Sequence, residues 1–462
     1  MLQQDLLASD VRAVTPCSSS DDATAVTRRA AQKTAIVYDE DALTESFRAV
    51  KAAFPPHFVH ALAIKSSPLA FIVREAIRSG LGIEAASFGE LASAVRNGCP
   101  RERILFDSPA KTMEELRWAL DAGVSINADS LDELERIDAI MGTLSTPSTS
   151  MIGLRVNPIL SGGKIAMFSV SRPDSKFGHA LHDQASRAEV IDAFARYEWL
   201  CGLHCHVGSA GTSLSMLAEG AATLAELADE IDAACAGASG EFGEPRITAI
   251  DIGGGLASSL ESDIVTPTFA EYARCLHEAA PSLFAKTSRT VFTEFGRALL
   301  AKTGWIVSQV EYVKRLPEAA APAADGQLDE QPRRIATCHA GADLMLRQCY
   351  TPTLPSSANR VSAYDAAGEP IGARRGPPVM QHIAGPLCFA GDYPRRGVRL
   401  PPLEPGDFLV FRDTGANTIG LWSRHCSRLA PPAYTYRGGS PDAGVTLRKP
   451  GETLEKLLDF WE

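Results

Sequence analysis

Two hydrophobic periods alternate along the chain. Short apolar runs with strand character are each followed by a stretch whose apolar positions recur at helical spacing. HALAIK (60–65) precedes FIVREAIRSG (71–80), GIEAAS (82–87) precedes GELASAVRNG (89–98), and RILFDS (103–108) precedes MEELRWALDAG (113–123). SINADS (125–130) precedes LDELERIDAIM (131–141), and MIGLRVNP (151–158) comes next. WLCGLHCHVGS (199–209) leads into an Ala/Leu-rich helix at 214–236, ITAIDIGGG (247–255) into FAEYARCLHEAA (269–280), and RTVFTEFGR (289–297) closes the series. Eight alternations over roughly 250 residues have the size of an α/β (β/α)8 barrel of the TIM type, assigned here to residues 55–304.

The pattern changes on both sides of that segment. AIVY (35–38) reads as a strand and 43–54 as a helix, so 35–54 is expected to supply a strand to a second domain. Beyond Gly304, the runs WIVSQVEYVKRL (305–316), RIATCHA (334–340), GDFLVFRD (406–413) and YTYR (434–437) are separated by Pro/Gly-rich turns with no barrel-type helix between them. Residues 305–462 are therefore expected to form a mostly antiparallel β domain, with a surface loop at 317–332. Residues 1–34 mix Ser, Asp, Ala and Arg without periodicity and read as a flexible extension.

Composition narrows the class. The net charge of −11 gives no claim on nucleic acid or an anionic membrane, and no apolar run is long enough to span a bilayer. The start lacks the apolar centre of a secretory signal, and a cytoplasmic location is expected. The ten cysteines form no C-x-x-C pair, and no histidine cluster has zinc spacing, so no metal site is expected. Nine of the cysteines read as scattered, mostly buried thiols of a reducing compartment.

The candidate chemistry lies at strand ends, which form the active face of a barrel. Lys65 ends the first barrel strand. It is either an exposed lysine or a part-desolvated amine with a lowered pKa, able to form a Schiff base. Gly253, Gly254 and Gly255 are either a tight turn or a loop whose N–H groups cradle a phosphate. His206 is either a structural histidine or a ring that stacks on an aromatic cofactor, with Ser209 near a phosphate oxygen. EFGR (294–297) is either a local ion pair or a carboxylate, Glu294, facing a protonated ring nitrogen. An amine, a stacking ring, a phosphate cradle and a carboxylate on one rim are what pyridoxal 5′-phosphate requires.

In order, AIVYDEDAL (35–43), LAIKSS (62–67), EAASFGEL (84–91), NADSLDELERI (127–137), LRVNP (154–158), SKFG (175–178), GLHCHVGS (202–209), DIGGG (251–255), EFGR (294–297), GPLCFAGD (385–392) and DTGAN (413–417) resemble the fold-type III pyridoxal-phosphate decarboxylases, closest to the diaminopimelate decarboxylase branch. The resemblance runs from about Ala35 to the C-terminus. It implies an alanine racemase-like fold and a homodimer with composite active sites. It makes Lys65 the Schiff-base lysine, His206 the stacking ring and Glu294 the partner of the pyridine nitrogen. It puts Ser209, Gly253–Gly255 and Arg297 at the phosphate, and includes Gly296 and Asn417 in the cofactor-binding set. Cys388 becomes the catalytic thiol that returns a proton to the carbanion from the neighbouring subunit, the alternative being a buried structural cysteine. Arg297, Arg347 and Phe389 face the substrate.

The chain departs from that family at several positions. Phe295 replaces the proline of E-P-G-R, and Leu62 the tyrosine of Y-A-x-K. Phe389 stands where the family has an acid that meets the substrate's distal ammonium, and Asn417 where it has a tyrosine. Arg347, which matches an arginine for a distal carboxylate, is kept. The tyrosine expected four residues later is Thr351, with Tyr350 one position early. The expected activity is decarboxylation of an amino acid, its distal group a carboxylate or uncharged rather than a free amine. If Phe389 instead points away, Asp392 is the acid that would meet an ammonium. The alternatives are a racemase or other non-decarboxylating pyridoxal-phosphate enzyme, or a decayed regulatory homologue.

Overall fold

The structure, a computed structural model, describes residues 33–160, 171–209, 212–236, 245–317, 332–350, 360–438 and 444–462. All but the last two residues of the expected N-terminal extension, most of the 317–332 loop, and Thr351 lie outside the described residues.

Strand β1 (Thr34–Asp39) leads into helix α1 (Glu40–Ala53). The following strands are β2 (Phe58–Ala63), β3 (Gly82–Ala85), β4 (Ile104–Asp107), β5 (Ser125–Ala128), β6 (Ile152–Asn157), the two-residue β7 (His179–Ala180), β8 (Leu200–His204), β9 (Ala249–Asp251) and β10 (Thr290–Phe295). Helices α2 (Ala70–Arg78), α3 (Phe88–Arg96), α4 (Met113–Ala122), α5 (Leu131–Met141), α6 (Gln184–Arg196), α7 (Leu214–Cys235) and α8 (Phe269–Ala279) alternate with them. Apart from β7, which adds to β6 at the rim, each strand pairs in parallel with the next. β10 pairs back onto β2, so eight strands close into the expected (β/α)8 barrel.

Local chemistry sets the helix starts. Ser87, Thr112, Ser130 and Thr268 each accept the backbone N–H three residues on, and Glu115 and Glu271 return the bond in α4 and α8. Helix α6 has no counterpart in the sequence reading. Its buried face is only Val190, Ala193 and Phe194, a stripe too narrow to stand out among its polar neighbours.

The strands' two-residue period layers the barrel interior. Ala61, Leu105, Ala249 and Phe292 form one buried apolar layer. Two residues further along the same strands stand Ala63, Asp107, Asp251 and Glu294. The interior thus passes in one step from apolar to strongly acidic, at the strand ends where a barrel carries its chemistry.

The remaining strands are β11 (Gly304–Arg315), β12 (Arg334–Cys338), β13 (Val361–Tyr364), β14 (Val379–Ala384), β15 (Arg395–Leu400), β16 (Phe408–Phe411), β17 (Ala433–Tyr436) and β18 (Thr446–Lys449). They form one sheet in the order β15-β14-β12-β11-β1-β17-β18, with β16 also on β11 and β13 on β16. It is mostly antiparallel, with parallel pairs at β12–β14 and β1–β17. Val37, Trp305, Val307, Tyr364, Phe408, Val410 and Tyr436 make its core. Strands β13, β14, β15 and β18 were not anticipated from the sequence, nor were helix α9 (Leu454–Trp461) and the short turn of helix at Leu346–Tyr350. The chain divides into two compact units, Thr44–Ser258 with Val265–Leu299, and the described residues up to Leu43 with Ser259–Ile264 and Leu300–Glu462. Among the described residues no helix is long and apolar enough to cross a membrane.

Candidate active site

Strand β2 ends at Ala63, and Lys65 sits in the single 3-10 turn (Ile64–Ser66) that follows. The buried Ser66 hydroxyl donates to Ala63 O at 2.6 Å and fixes that turn. Gly296 lies so close to it that a Cβ there would stand 2.8 Å from Ser66 Cβ, and this close approach seats EFGR beside the lysine turn. Lys65 Nζ donates to Glu84 Oε1 on β3 at 2.5 Å; the Glu84 side chain is fully buried and that of Lys65 about half exposed. The expected low amine pKa is not what results. Burial pulls it down, but Glu84, Glu294 and Asp107 outweigh burial and hold it above the ordinary lysine value. Glu84 is thus the partner that holds the Lys65 ammonium.

Lys111, which is buried, is fully committed. Its Nζ donates to Ser108 O and Asn127 O at 2.6 and 2.8 Å and lies 3.0 Å from Glu133. It ties the loop after β4 to β5.

Asp107, His204, Asp251 and Glu294 converge inside the barrel, one ligand-type atom from each lying within 4.8 Å of all the others. His204 Nδ1 stands 3.4 Å from Asp251 Oδ2 and 3.8 Å from Glu294 Oε1. Asp251 also accepts from Asn127 Nδ2 at 3.1 Å and from Gly253 N–H at 2.9 Å. Burial first, then Asp251, pushes Glu294 up to about 7; burial first, then Asp107, does the same to Asp251.

His206 follows β8. Its Nδ1 accepts the Gly254 N–H at 3.2 Å, which puts any ring proton on Nε2, and lies 3.5 Å from Glu294 Oε2. Burial first, then Arg155, Lys65 and His204, holds its pKa well below the ordinary histidine value, so the ring is neutral and can lie against another flat ring. Arg155 is itself 3.3 Å from Asp129 and 4.4 Å from the Phe177 ring.

The glycine triplet is built differently from the simple cradle expected. Gly253 N–H is used on Asp251 and Gly254 N–H on His206, so neither points freely into a cradle. Gly253 and Gly255 have φ of +65° and +94°, which other residues rarely adopt. A Cβ on Gly254 would stand 2.1 Å from Glu294 O, and one on Gly255 2.2 Å from Gly208 O. These residues are small so that the loop can lie against β10 and the end of β8. Ser209 O accepts from Thr212 N–H and hydroxyl at 3.1 and 2.8 Å, and Arg297 opens the helical turn Arg297–Leu300 directly after Glu294.

Phe295 points out of the barrel, opposite to Glu294, into rings of Phe54, Phe269 and Tyr272 with centroids 6.5, 5.2 and 6.1 Å away. A ring in place of proline therefore alters strand–helix packing and leaves Glu294 where it is.

Four sequence-predicted residues lie in the β unit. Cys388 is exposed, as is Cys426, while Cys99, Cys205, Cys235, Cys338 and Cys349 are buried. Phe389 stacks on Tyr350, ring centroids 4.8 Å apart and planes 14° from parallel. Arg347 lies in the Leu346–Tyr350 turn, where burial lowers its pKa. Asn417 has φ +56°, a conformation asparagine tolerates better than tyrosine. Asp392 is 3% exposed, with its oxygens 2.6 and 2.7 Å from Ala342 and Leu387 N–H, and a Cβ on Gly341 or Gly385 would strike its carboxyl. It organises its own loop, and both oxygens are engaged by backbone N–H groups.

The sequence reading missed Glu84, Asp107, Arg155, His204 and Asp251. For Asp107 and Asp251 the available signal was an acid two residues beyond an interior apolar position at a strand end.

This constellation fits pyridoxal phosphate. It supplies an amine, a neutral stacking ring, and a loop whose Cβ-less positions leave close-approach space. It also holds buried Glu294 Oε1, His204 Nδ1 and Asp107 Oδ2 with no hydrogen-bond partner among the described residues. A model of the pyridoxal-binding domain of pyridoxal-dependent decarboxylases matches residues 40–301. The diaminopimelate decarboxylase of Zymomonas mobilis is 27% identical over 398 residues, 85% of each chain. That of Actinosynnema pretiosum is 29% identical over 91% of this chain and 87% of its own. Among solved structures, diaminopimelate decarboxylase from Helicobacter pylori complexed with L-lysine superposes with a TM-score of 0.76 at 22% identity, covering 93% of this chain and 96% of its own. An arginine decarboxylase from Paramecium bursaria Chlorella virus gives 0.68 at 17% identity, over 88% and 96%. With the match spanning the barrel and the fold shared over nearly the whole length, the chain belongs to the pyridoxal-dependent decarboxylases and is a pyridoxal-phosphate-dependent carboxy-lyase of amino acids.

Proposed function

We propose that the substrate is an amino acid whose distal end is a carboxylate or an uncharged group, and that lysine-like diamines are poor substrates. The observation that carries this is the Phe389–Tyr350 ring stack at the position where the family has an acid. A ring offers a cation only about 0.5–2 kcal/mol, whereas leaving a buried charge unpaired costs about 3–5 kcal/mol. Asp392 is held by backbone N–H groups in its own loop and is no substitute. Arg347 supplies a guanidinium suited to a carboxylate.

When bound, pyridoxal phosphate supplies an electron sink for the pair released as CO2 departs. The protein's part is positioning and proton management. Lys65 would hold the cofactor through its aldehyde, with Glu84 orienting the lysine side chain. His206 packs its neutral ring against the cofactor. The Glu294 carboxylate accepts a hydrogen bond from the ring nitrogen, and Ser209, Gly255 and Arg297 hold the phosphate. The Cys388 thiol of a neighbouring subunit delivers a proton to the carbon that lost CO2 and regains one from water, in a homodimer with composite sites.

CO2 release from a panel of amino acids tests the substrate reading. Dicarboxylic or uncharged-tail substrates are expected to turn over best, and Arg347→Ala is expected to raise KM for the best one about tenfold or more without loss of bound cofactor. Efficient turnover of meso-diaminopimelate or ornithine would show the reading to be wrong.

A further inference from the structure

Asp107, His204 and Asp251 have no task in the chemistry just described, yet they converge on Glu294. The four residues lie at or next to the ends of β4, β8, β9 and β10, and their side chains meet inside the barrel. The cofactor's ring nitrogen, in the role given above, engages Glu294 alone. His204 Nδ1 and Asp107 Oδ2 are buried with no hydrogen-bond partner among the described residues, and His204 is only 1% exposed. That imidazole nitrogen is aimed into the cluster. It stands 3.4 Å from Asp251 Oδ2 and 3.8 Å from Glu294 Oε1 and hydrogen-bonds to neither. The cations of the site are committed elsewhere, Lys65 to Glu84 at 2.5 Å and Arg155 to Asp129 at 3.3 Å. Asn127 and the Gly253 N–H are neutral donors, and both serve Asp251. Three carboxyl groups and a ring nitrogen thus face one point without a cation of their own.

We infer that Asp107, His204, Asp251 and Glu294 form a divalent-cation site that fills in the cofactor-free protein and empties when the cofactor binds. The mutual exclusion rests on the assignment of Glu294 to the ring nitrogen, because a cation on that carboxylate would meet a protonated ring nitrogen as a like charge.

The donor set and its spacing name the class of cation. One imidazole nitrogen with three carboxylate oxygens suits Zn2+, Mn2+ or Co2+. Ca2+ and Mg2+ take all-oxygen shells, and Cu(I) takes sulfur. Four ligands on a tetrahedron with bonds of about 2.0–2.1 Å stand about 3.3–3.4 Å apart. His204 Nδ1 and Asp251 Oδ2 already have that separation, and one ligand-type atom from each of the four residues lies within 4.8 Å of all the others. Side-chain rotations that move these atoms by about 1 Å complete the shell. The scaffold is rigid, since β8, β9 and β10 are hydrogen-bonded neighbours and β4 belongs to the same closed sheet. The ligands are spread from 107 to 294, so no short metal-binding spacing links them in the sequence.

The test titrates the full chain, freed of cofactor and treated with chelator, with Zn2+, Mn2+ and Co2+ by calorimetry. About one cation per chain is expected, with a dissociation constant of roughly micromolar or tighter, and a raised thermal unfolding midpoint. Co2+ should give the visible bands of a tetrahedral nitrogen–oxygen site without the charge-transfer band of a thiolate, a readout on the unmodified protein that needs no variant. Asp107→Asn and His204→Gln should each weaken the cation at least about tenfold. With the cation held at about ten times its dissociation constant, the apparent dissociation constant of pyridoxal phosphate should rise roughly tenfold. No stoichiometric binding, a thiolate band, affinity retained in both variants, or cofactor affinity that ignores the cation would each overturn the inference. Glu294→Gln separates it from the reading on which it rests. If that variant binds the cofactor more weakly in the absence of any cation while the cation titration of the unmodified protein fails, the inference falls and Glu294 keeps its role. If the variant binds the cofactor unchanged, the assignment of Glu294 falls and the mutual exclusion with it.

Discussion

Gly254→Ala probes how tightly the cofactor loop is seated. The added methyl would stand 2.1 Å from Glu294 O and 3.0 Å from Glu294 C, both backbone atoms that cannot swing aside. Ordinary contact is roughly 3.5 Å, so the loop must retreat by more than about 1 Å. Two bonds cross that junction: Glu294 N–H to Gly253 O at 2.9 Å, and Gly254 N–H to His206 Nδ1 at 3.2 Å. Overpacking costs about 1–3 kcal/mol and each of the two weakened bonds about 1 kcal/mol, a total of roughly 3–5 kcal/mol. The loss is shared between folding and cofactor binding, so both are measured, by thermal unfolding and by titrating the cofactor-free protein with pyridoxal phosphate. A lower unfolding midpoint and at least about tenfold weaker binding are expected. Gly89→Ala is the control, because its Cβ would meet only Ser87 Oγ at 3.8 Å in the first turn of α3, and it should lose neither property. A Gly254→Ala protein with unchanged midpoint and affinity would refute the account of why this glycine is required.

Lys65→Ala should lose both the visible absorbance of bound cofactor and all CO2 release; a variant keeping both would remove Lys65 from its role. Mixed Lys65→Ala and Cys388→Ala subunits should regain activity up to about a quarter of the unmodified level, since half the dimers are hybrids with one intact composite site; no recovery despite proven subunit exchange would count against sites shared between subunits. In the cofactor-free protein, Glu294 and Asp251 are raised to about 7 from an unfolded range near 4. Acids raised in the folded state give stability that is fully present below the unfolded pKa and lost as pH rises through the folded one. Unfolding free energy should therefore fall by a few kcal/mol between about pH 4 and 7, and Glu294→Gln should flatten part of that fall; an equally steep profile in the variant would contradict the assignment.

The barrel was legible because its strands are buried on both faces and its helices carry regular apolar stripes, so both periods stand out. The outer strands of the β unit were not. RRGVRL of β15 and TLRK of β18 bury almost nothing, and are strands because a neighbour's ladder holds them rather than because of their own apolar pattern. In the site, Lys65, His206 and Glu294 announced themselves through strand-end position. The pKa direction of Lys65 could not be read that way, since it depends on Glu84, nineteen positions away in sequence and 2.5 Å away in space. Likewise, the glycine run suggested free N–H groups, whereas two are spent on Asp251 and His206, partners that only the closed barrel brings to them.

The departures from the family pattern differ in physical weight, and strand alternation shows why. Glu294 and Phe295 are neighbours on β10, so one faces the barrel interior and the other the helices. Phe295 is 1% exposed among aromatic rings, and exchanging proline for it touches no charged group. At Phe389 the exchange removes a charge, and among the described residues of the β unit neither Asp392 nor Asp343 is placed to restore it. Asp392 is buried and bound to backbone N–H groups, and Asp343 is buried beside Arg428 at 3.4 Å and accepts the Gly341 N–H. Tyr350 meets the new ring face to face instead. A lost charge replaced by a ring that stacks on a neighbouring ring is the pattern expected when the group it once neutralised is no longer present in the substrate. Restoring the acid by Phe389→Glu should then favour diamino substrates over the native one in CO2-release assays; unchanged preference would mean that position 389 does not read the substrate.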